Sequence, residues 1–201
     1  MMAQTLAEAR ENEDRMERAA FHRQAAEGLD WSELECRNSI FQSCRFTGCD
    51  FTGAAFWGCS FQDCLFSACR FPASFWRQSS LVECKGDGCD FRRARFRECR
   101  LEKCLLRYGN FSESRWDGSR ITDCDMTEAV LSESRIRRTA FLRADFTGAE
   151  LFRTSFRDMD LSSCTLDGIT LSESCAELKG AKINAAQAAV VARILGIEVL
   201  P

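Results

Sequence analysis

A strict five-residue period runs through most of this chain. From Trp31 to Leu171 every fifth residue is large and apolar at 27 of 29 consecutive positions, and only Cys36 and Gly86 break the series. Two residues before each of these positions stands Ser, Cys, Ala, Thr or Gly in 25 of the 29 cases. Helices repeat about every 3.6 residues and strands about every two, so neither could bury this pattern along one straight segment. The chain must therefore turn every five residues.

The simplest fold with this period is a square coil in which each five-residue unit forms one side. Both the large and the small series then point inward, and successive turns stack at a strand-like spacing of about 4.8 Å. Each turn buries its apolar edge only against its neighbours, as in other solenoids. We therefore predict an all-β solenoid over residues 29–176, whose axis is filled by large side chains such as Phe46, Phe66, Phe96, Phe146 and Phe156.

The two ends of the chain lack the period and are expected to cap the coil, because a bare end would expose backbone groups and an apolar cross-section. Residues 1–28 are highly charged and predict a helical cap or a partly disordered segment. In residues 177–201, Asn184 and Gln187 form a capping-box pattern that predicts a helix ending at Gly196. A short apolar strand over residues 197–200 is expected after it.

The tandem repeat resembles the pentapeptide-repeat family over residues 29–175, and this resemblance implies a right-handed quadrilateral β-helix. The tail contains Leu178-Lys179-Gly180-Ala181-Lys182-Ile183, then Gln187, then Leu195-Gly196-Ile197-Glu198-Val199-Leu200-Pro201. In these residues the tail is similar to the C-terminal signature of the Qnr-type quinolone-resistance branch. In that branch the tail joins two rods end to end. The resemblance implies a homodimer whose interface comprises Ile183, Ala186, Val190, Ile194, Leu195, Ile197 and Val199.

The same branch binds bacterial type II topoisomerases, chiefly DNA gyrase, by imitating a DNA duplex. The resemblance therefore implies a protein that protects gyrase or topoisomerase IV from quinolones or natural toxins. The alternative is a generic pentapeptide-repeat scaffold with another protein partner, because the repeat by itself specifies a fold and not a function. Several members of the branch carry contact loops, whereas this frame never slips; Lys85–Gly88 is the single candidate bulge.

Charge is distributed unequally over the predicted faces, although Lys and Arg (27) nearly balance Asp and Glu (30). An acidic stripe toward the C-terminal end is what a duplex mimic would present to a basic DNA-binding surface. Its candidate topoisomerase-binding residues are Asp125, Glu128, Asp145, Glu150 and Asp167. Another face is rich in arginine, which either pairs with neighbouring carboxylates or neutralises phosphates. We expect a protein partner rather than direct nucleic-acid binding.

Other chemistry is not favoured by the sequence. The chain has 13 cysteines, but most belong to the small inward series, where Ser or Ala replaces them without a break in frame. Size, not thiolate chemistry, is therefore the requirement, and a column of parallel thiols does not converge on a metal. We expect no metal, no cofactor and no enzymatic activity. Neither a secretory segment nor an apolar membrane span is recognisable, so we expect a cytoplasmic protein without membrane association.

Overall fold

The five-residue period folds into a four-sided parallel β-solenoid with a helix at each end, as the computed structural model, which describes residues 1–200, shows. Strands pair with those twenty residues further on, as in the register Phe96↔Trp116 and Trp116↔Ile136. The predicted fold class is confirmed. Face 1 and face 2 are seven-stranded sheets, whereas face 3 has three strands and face 4 has single bridges only.

Every strand is three residues long. Face 1 comprises Arg15–Glu17, Glu35–Arg37, Ala55–Trp57, Phe75–Arg77, Arg95–Arg97, Arg115–Asp117 and Arg135–Arg137. Face 2 comprises Ala20–His22, Ile40–Gln42, Ser60–Gln62, Ser80–Val82, Arg100–Glu102, Arg120–Thr122 and Ala140–Leu142. Face 3 comprises Ala25–Glu27, Arg45–Thr47 and Leu65–Ser67, and bridges continue it through Lys85, Leu105, Asp125, Asp145 and Thr165. Face 4 is the column of Asp30, Asp50, Arg70, Asp90, Asn110, Val130, Glu150 and Thr170.

The axis of the coil is filled by the large in-frame side chains. Phe51, Phe71, Phe91 and Phe111 stack in one column with ring centroids 4.5, 4.7 and 4.9 Å apart. The five phenylalanines predicted to lie in the core are all buried, with exposed fractions of 3% or less. The corners lie two residues after the buried large residues, and there the backbone enters the left-handed region, for example at Ser43, two residues after Phe41, with φ 52°.

The small inward series has a second property besides size. The Cys64 thiol donates to the carbonyl oxygens of Phe41 at 3.3 Å and of Gln62 at 3.4 Å. The Ser79 hydroxyl makes the equivalent bonds to Phe56 and Arg77, each at 3.1 Å. A thiol and a hydroxyl therefore serve equally well at these positions, which explains why Cys and Ser alternate in the series.

The coil begins earlier than the sequence analysis expects. Helix α1 (Met2–Glu11) ends well before residue 28, and residues 15–27 already form the first strand of each of three faces. Met2, Leu6 and Ala9 of α1 are buried over this first turn. The missed turn is in frame, with Phe21 as one buried centre, but its charged flanks hide the repeat in the sequence.

The C-terminal end is closed by α2 (Ala185–Ile194), preceded by the short 3-10 helix Ala176–Leu178. Both bonds of the capping box between Asn184 and Gln187 are present. Gln187 also donates to the carbonyl oxygens of Leu161 at 2.8 Å and Cys164 at 2.6 Å, and Asn184 donates to that of Ser162 at 2.8 Å. The last turn thus finds its hydrogen-bond partners in the cap.

Two local expectations differ from the structure. Residues 197–200, expected as a strand, have no regular secondary structure, because no backbone segment pairs with them. Lys85–Gly88 does not bulge: Gly86 donates to Leu105 at 2.8 Å, and Lys85 accepts from Phe66 at 2.7 Å. The missing side chain at Gly86 therefore leaves the backbone ladder intact.

Candidate functional site

Five acidic residues lie along one edge of the rod in three consecutive turns. Asp125 pairs with Asp145 on face 3, and Glu150 lies one turn beyond Val130 on face 4. Glu128 lies at the corner between these faces, and Asp167 lies on face 3 directly before another such corner, Gly168. The fold therefore brings together the five carboxylates singled out from the sequence, and we call this edge the acidic corner.

The carboxylates of the acidic corner differ in how far they are engaged. Asp125 and Asp145 are half-buried, and each accepts a hydrogen bond from the backbone N–H two residues on, at 3.0 and 2.9 Å. These two carboxylates hold turns together as well as carrying charge. Glu128, Glu150 and Asp167 are exposed, and within residues 1–200 they make no ion pair and no side-chain hydrogen bond. These three are available to a partner.

Positive charge gathers on a different side of the rod. Face 1, which lies opposite face 3 in the four-sided coil, carries most of its arginines in the turns from Arg95 to Arg137. Nearest the acidic corner, Arg107 lies 3.9 Å from Asp125 but only 2.5 Å from Asp87. The two signs of charge are therefore separated across the rod.

The residues predicted to form a dimer interface fall into two groups. Ile183 and Ile194 are partly buried and pack against the core of their own chain. Leu195, Ile197 and Val199 are exposed, with exposed fractions of 48, 55 and 37%. Ala186 is also exposed, and Val190 is half-buried. One side of the predicted interface thus caps the rod, and the tail after α2 carries an apolar surface without a neighbour among residues 1–200.

Sequence reasoning misses a buried carboxylate at the C-terminal end. Glu177 is 4% exposed and accepts hydrogen bonds from the backbone N–H of Arg153 at 2.9 Å and from the Ser172 hydroxyl at 2.8 Å. Burial raises the pKa of this carboxyl, but these hydrogen bonds favour the ionised form and leave the pKa below its usual value. No pattern in the sequence marks this residue, because it lies beyond the last repeat.

A second feature missed by sequence reasoning is a stacked group on face 1. The Trp57 ring lies between the guanidinium groups of Arg37 and Arg77, one in the preceding turn and one in the next, each 5.6 Å from its centroid. Phe75 packs beside it with ring centroids 5.0 Å apart. The tryptophan, which the repeat predicts to point outward, is thus half-buried by its neighbours.

The cysteines belong to the interior of the coil. All 13 are free and buried. Burial raises the pKa of the Cys89 thiol to about 12 and that of Cys99 to about 11, so both stay protonated near neutrality. Within residues 1–200, no three His, Cys, Asp or Glu side chains are placed to share a metal ion. Neither helix of this part of the chain has the length and apolar character needed to cross a bilayer.

The fold and its surface define a class: a capped, four-sided parallel β-solenoid that presents separated acidic and basic sides. Family models agree with the repeat fold. The model for a pentapeptide repeat region matches residues 59–129, and the model for pentapeptide repeats matches residues 32–67 and 129–168. The chain belongs to the pentapeptide-repeat family.

Solved structures of the same fold include a plasmid-mediated fluoroquinolone resistance protein, QnrB1. One trypsin-treated variant aligns with a TM-score of 0.54 and 20% identity over 92% of this chain and 99% of its own. Another aligns with a TM-score of 0.50 and 18% identity over 93% of this chain and 100% of its own. At this identity the likeness concerns the fold. No curated protein matches the chain significantly.

Proposed function

We propose that this protein is a non-enzymatic binder of a bacterial type II topoisomerase, DNA gyrase or topoisomerase IV, and that it protects the enzyme from quinolones or natural gyrase poisons. The acidic corner is the observation that carries the proposal. It presents three exposed, unpaired carboxylates in consecutive turns of the coil. Negative charge clustered along one edge of a regular support is what a basic DNA-binding surface attracts. The Qnr-type tail and the shared fold point to the same partner.

A homodimer belongs to this proposal, and its support is the distribution of exposed apolar side chains. Of the nine large hydrophobic residues that are exposed in residues 1–200, four lie together in the tail: Leu195, Ile197, Val199 and Leu200. The other five are scattered along the chain. Contiguous apolar groups at the end of a rod fit burial against a second copy.

A supercoiling assay tests the proposal. Purified protein is titrated across the micromolar range into DNA gyrase and, separately, topoisomerase IV, with and without ciprofloxacin or albicidin. We expect restored supercoiling or decatenation in the presence of a poison, or inhibition of the enzyme by the protein alone. The absence of both effects on both enzymes would reject the proposal in favour of a scaffold with another protein partner.

Charge variants locate the contact. The double variant Glu150→Gln, Asp167→Asn removes two exposed charges from the acidic corner without disturbing a turn. The matched control is Glu27→Gln, Glu33→Gln, which removes two exposed charges near the other end of the rod. We expect protection to require about tenfold more of the first variant, in the range for losing two interfacial charges, and the same amount of the control. Equal loss in both would remove the acidic corner from the proposal.

The dimer is tested at an exposed position. Ile194 packs against its own core, so a charge there would unfold the cap, whereas Ile197 is 55% exposed. Ile197→Asp should give monomers in sedimentation velocity that keep the circular dichroism spectrum of the wild type and melt at a temperature independent of protein concentration. Ile40→Asp, at another exposed apolar residue, serves as the control. Persistent dimers of Ile197→Asp would place the interface elsewhere.

A further inference from the structure

Face 1 carries a strip of arginines that stack in register. Arg95, Arg115 and Arg135 occupy the same position in three consecutive strands, so that each is the direct partner of the next. Arg137 lies at the other end of the Arg135 strand, and Arg120 extends the strip onto the first residue of the adjoining face-2 strand, in the same turn as Arg115. All five side chains are exposed. We call these five residues the arginine strip.

The sequence leaves two explanations for the exposed arginines, pairing with carboxylates or binding of phosphates. Ion pairing accounts for many of the arginines outside the strip. Arg93, Arg107 and Arg143 each bind a carboxylate one turn away, at 3.0, 2.5 and 2.6 Å. Arg138 and Arg153 bind carboxylates at 2.7 and 3.4 Å. In contrast, no arginine of the strip has a carboxylate within 4.0 Å among residues 1–200.

The carboxylates around the strip are already engaged. Asp117 lies between Arg97 and Arg137 in the strand register, but both of its oxygens accept hydrogen bonds from Arg138. Glu113 is bound by Arg93, and Glu133 by Arg153. The strip therefore keeps an uncompensated positive charge. This arrangement is destabilising by itself, because like charges on neighbouring strands repel one another.

We propose that the arginine strip binds the phosphate backbone of double-stranded DNA. At a rung spacing of about 4.8 Å, the three stacked arginines span about 10 Å, over which one strand of a duplex presents about three phosphates. An extended acidic peptide carries at most one charge per about 3.3 Å of its length, whereas a duplex carries one per about 1.7 Å of its axis, so the duplex is the stronger counter-charge for a strip of unpaired arginines. Guanidinium groups also bind phosphate oxygens through two parallel hydrogen bonds.

The contact is independent of base sequence. The strip itself contains no aromatic side chain on which a base could stack. The two large aromatic rings nearest to it on face 1 pack against each other: Phe75, the strand partner of Arg95, is half-buried beside Trp57, and the Trp57 ring has an arginine over each side. The strip lies on the opposite side of the rod from the acidic corner, so duplex binding does not depend on the proposed function and would not compete for the same surface. A single molecule could then contact an acidic and a basic partner at once.

Fluorescence anisotropy with a labelled 20-base-pair duplex, titrated with the full chain between 25 and 200 mM KCl, tests the inference. We expect binding at low salt that weakens steeply as salt rises. The triple variant Arg95→Gln, Arg115→Gln, Arg135→Gln should lose about tenfold or more in affinity at 50 mM salt, and its slope of log K against log salt should be shallower by about three.

The matched control is Arg93→Gln, Arg107→Gln, Arg143→Gln, which removes the same charge from arginines that already hold a carboxylate. It should change duplex affinity less than twofold, and melting curves verify that both triple variants fold. Three results would each overturn the inference: no duplex binding by the wild type at 25 mM salt, equal weakening in the two triple variants, or binding of polyglutamate in preference to the duplex. Should the triple variant not fold, the single variant Arg115→Gln is measured in its place and should make the salt slope shallower by about one; an unchanged slope would overturn the inference.

Discussion

Gly86 provides a sharp test of how the axis of this solenoid is packed. It occupies a large inward position, yet it carries no side chain and its φ lies outside the left-handed region. A Cβ built there would lie 3.5 Å from the Cys89 sulfur and 3.5 Å from a methyl of Leu106, which are ordinary contacts. Gly86→Ala therefore fits without strain.

The expected gain has two sources. Replacing glycine where the backbone tolerates alanine removes freedom from the unfolded chain and stabilises by about 0.4–1 kcal/mol. Burying one methyl adds about 0.8 kcal/mol. Gly86→Ala should thus raise the free energy of unfolding by about 1–2 kcal/mol, which for a chain of this size raises Tm by about 2–8 °C.

Gly88→Ala is the matched control two residues along. Gly88 has a φ of +69° and nothing within 4 Å of the added Cβ. Its substitution therefore measures only the free-energy cost of placing alanine in the left-handed region. It should lower the free energy of unfolding by about 1 kcal/mol. Urea melts of the two variants should move in opposite directions. A destabilised Gly86→Ala variant would refute the argument that space is open on the axis, and two shifts of the same sign would refute the backbone argument.

Three further predictions concern hydrogen bonds and the core. Glu177→Gln should cost about 1–3 kcal/mol at pH 7. Because the folded-state pKa of Glu177 is depressed, the wild-type advantage is fully present above the unfolded pKa near 4.5 and is lost as pH falls through the lower folded-state pKa, so melts between pH 7 and 3 should show the two proteins converging toward the acid end. Ser74→Ala should lower the free energy of unfolding by about 1–3 kcal/mol in a urea melt, and an unchanged midpoint would contradict this. The Ser74 hydroxyl accepts a hydrogen bond from the Trp76 indole N–H at 2.9 Å, so the variant would leave that N–H buried and unpaired. Phe96→Ala should cost about 3–5 kcal/mol, because the ring is 1% exposed and stacks at 4.0 Å on Trp116; a near-neutral denaturant melt would count against the packed axis.

The period of five was enough to predict the coil, the inward side chains and the four columns. It was not enough to place the first turn, where Met16, Phe21 and Ala26 keep the frame but Asp14 and Gln24 stand in the small series. A single imperfect turn carries too little pattern to be recognised. This turn is stabilised by the helix that packs over it, through the buried residues Met2, Leu6 and Ala9 of α1.

The acidic corner was predictable because the faces repeat every twenty residues and charges can be assigned to them by counting. Which charges are free was not predictable. Whether an arginine finds a carboxylate depends on side-chain reach across turns: Arg143 finds Asp123 at 2.6 Å, while Arg135 finds no such partner within residues 1–200. The buried carboxylate of Glu177 depends on how a non-repetitive tail folds back, which a repeat pattern cannot describe.

The difference between a five-residue frame and a twenty-residue turn restricts how such a chain can change length during evolution. Loss or gain of one five-residue unit preserves the buried series, but it rotates everything beyond that point by a quarter turn relative to what precedes it. The arginine strip and the acidic corner share two turns, because Arg115 precedes Asp125 and Arg135 precedes Asp145 within one turn each, so a unit lost in this region would move the later residues of both surfaces onto a neighbouring side. Only insertions or deletions of twenty residues leave both surfaces aligned, and we expect homologous sequences to vary in length by whole turns.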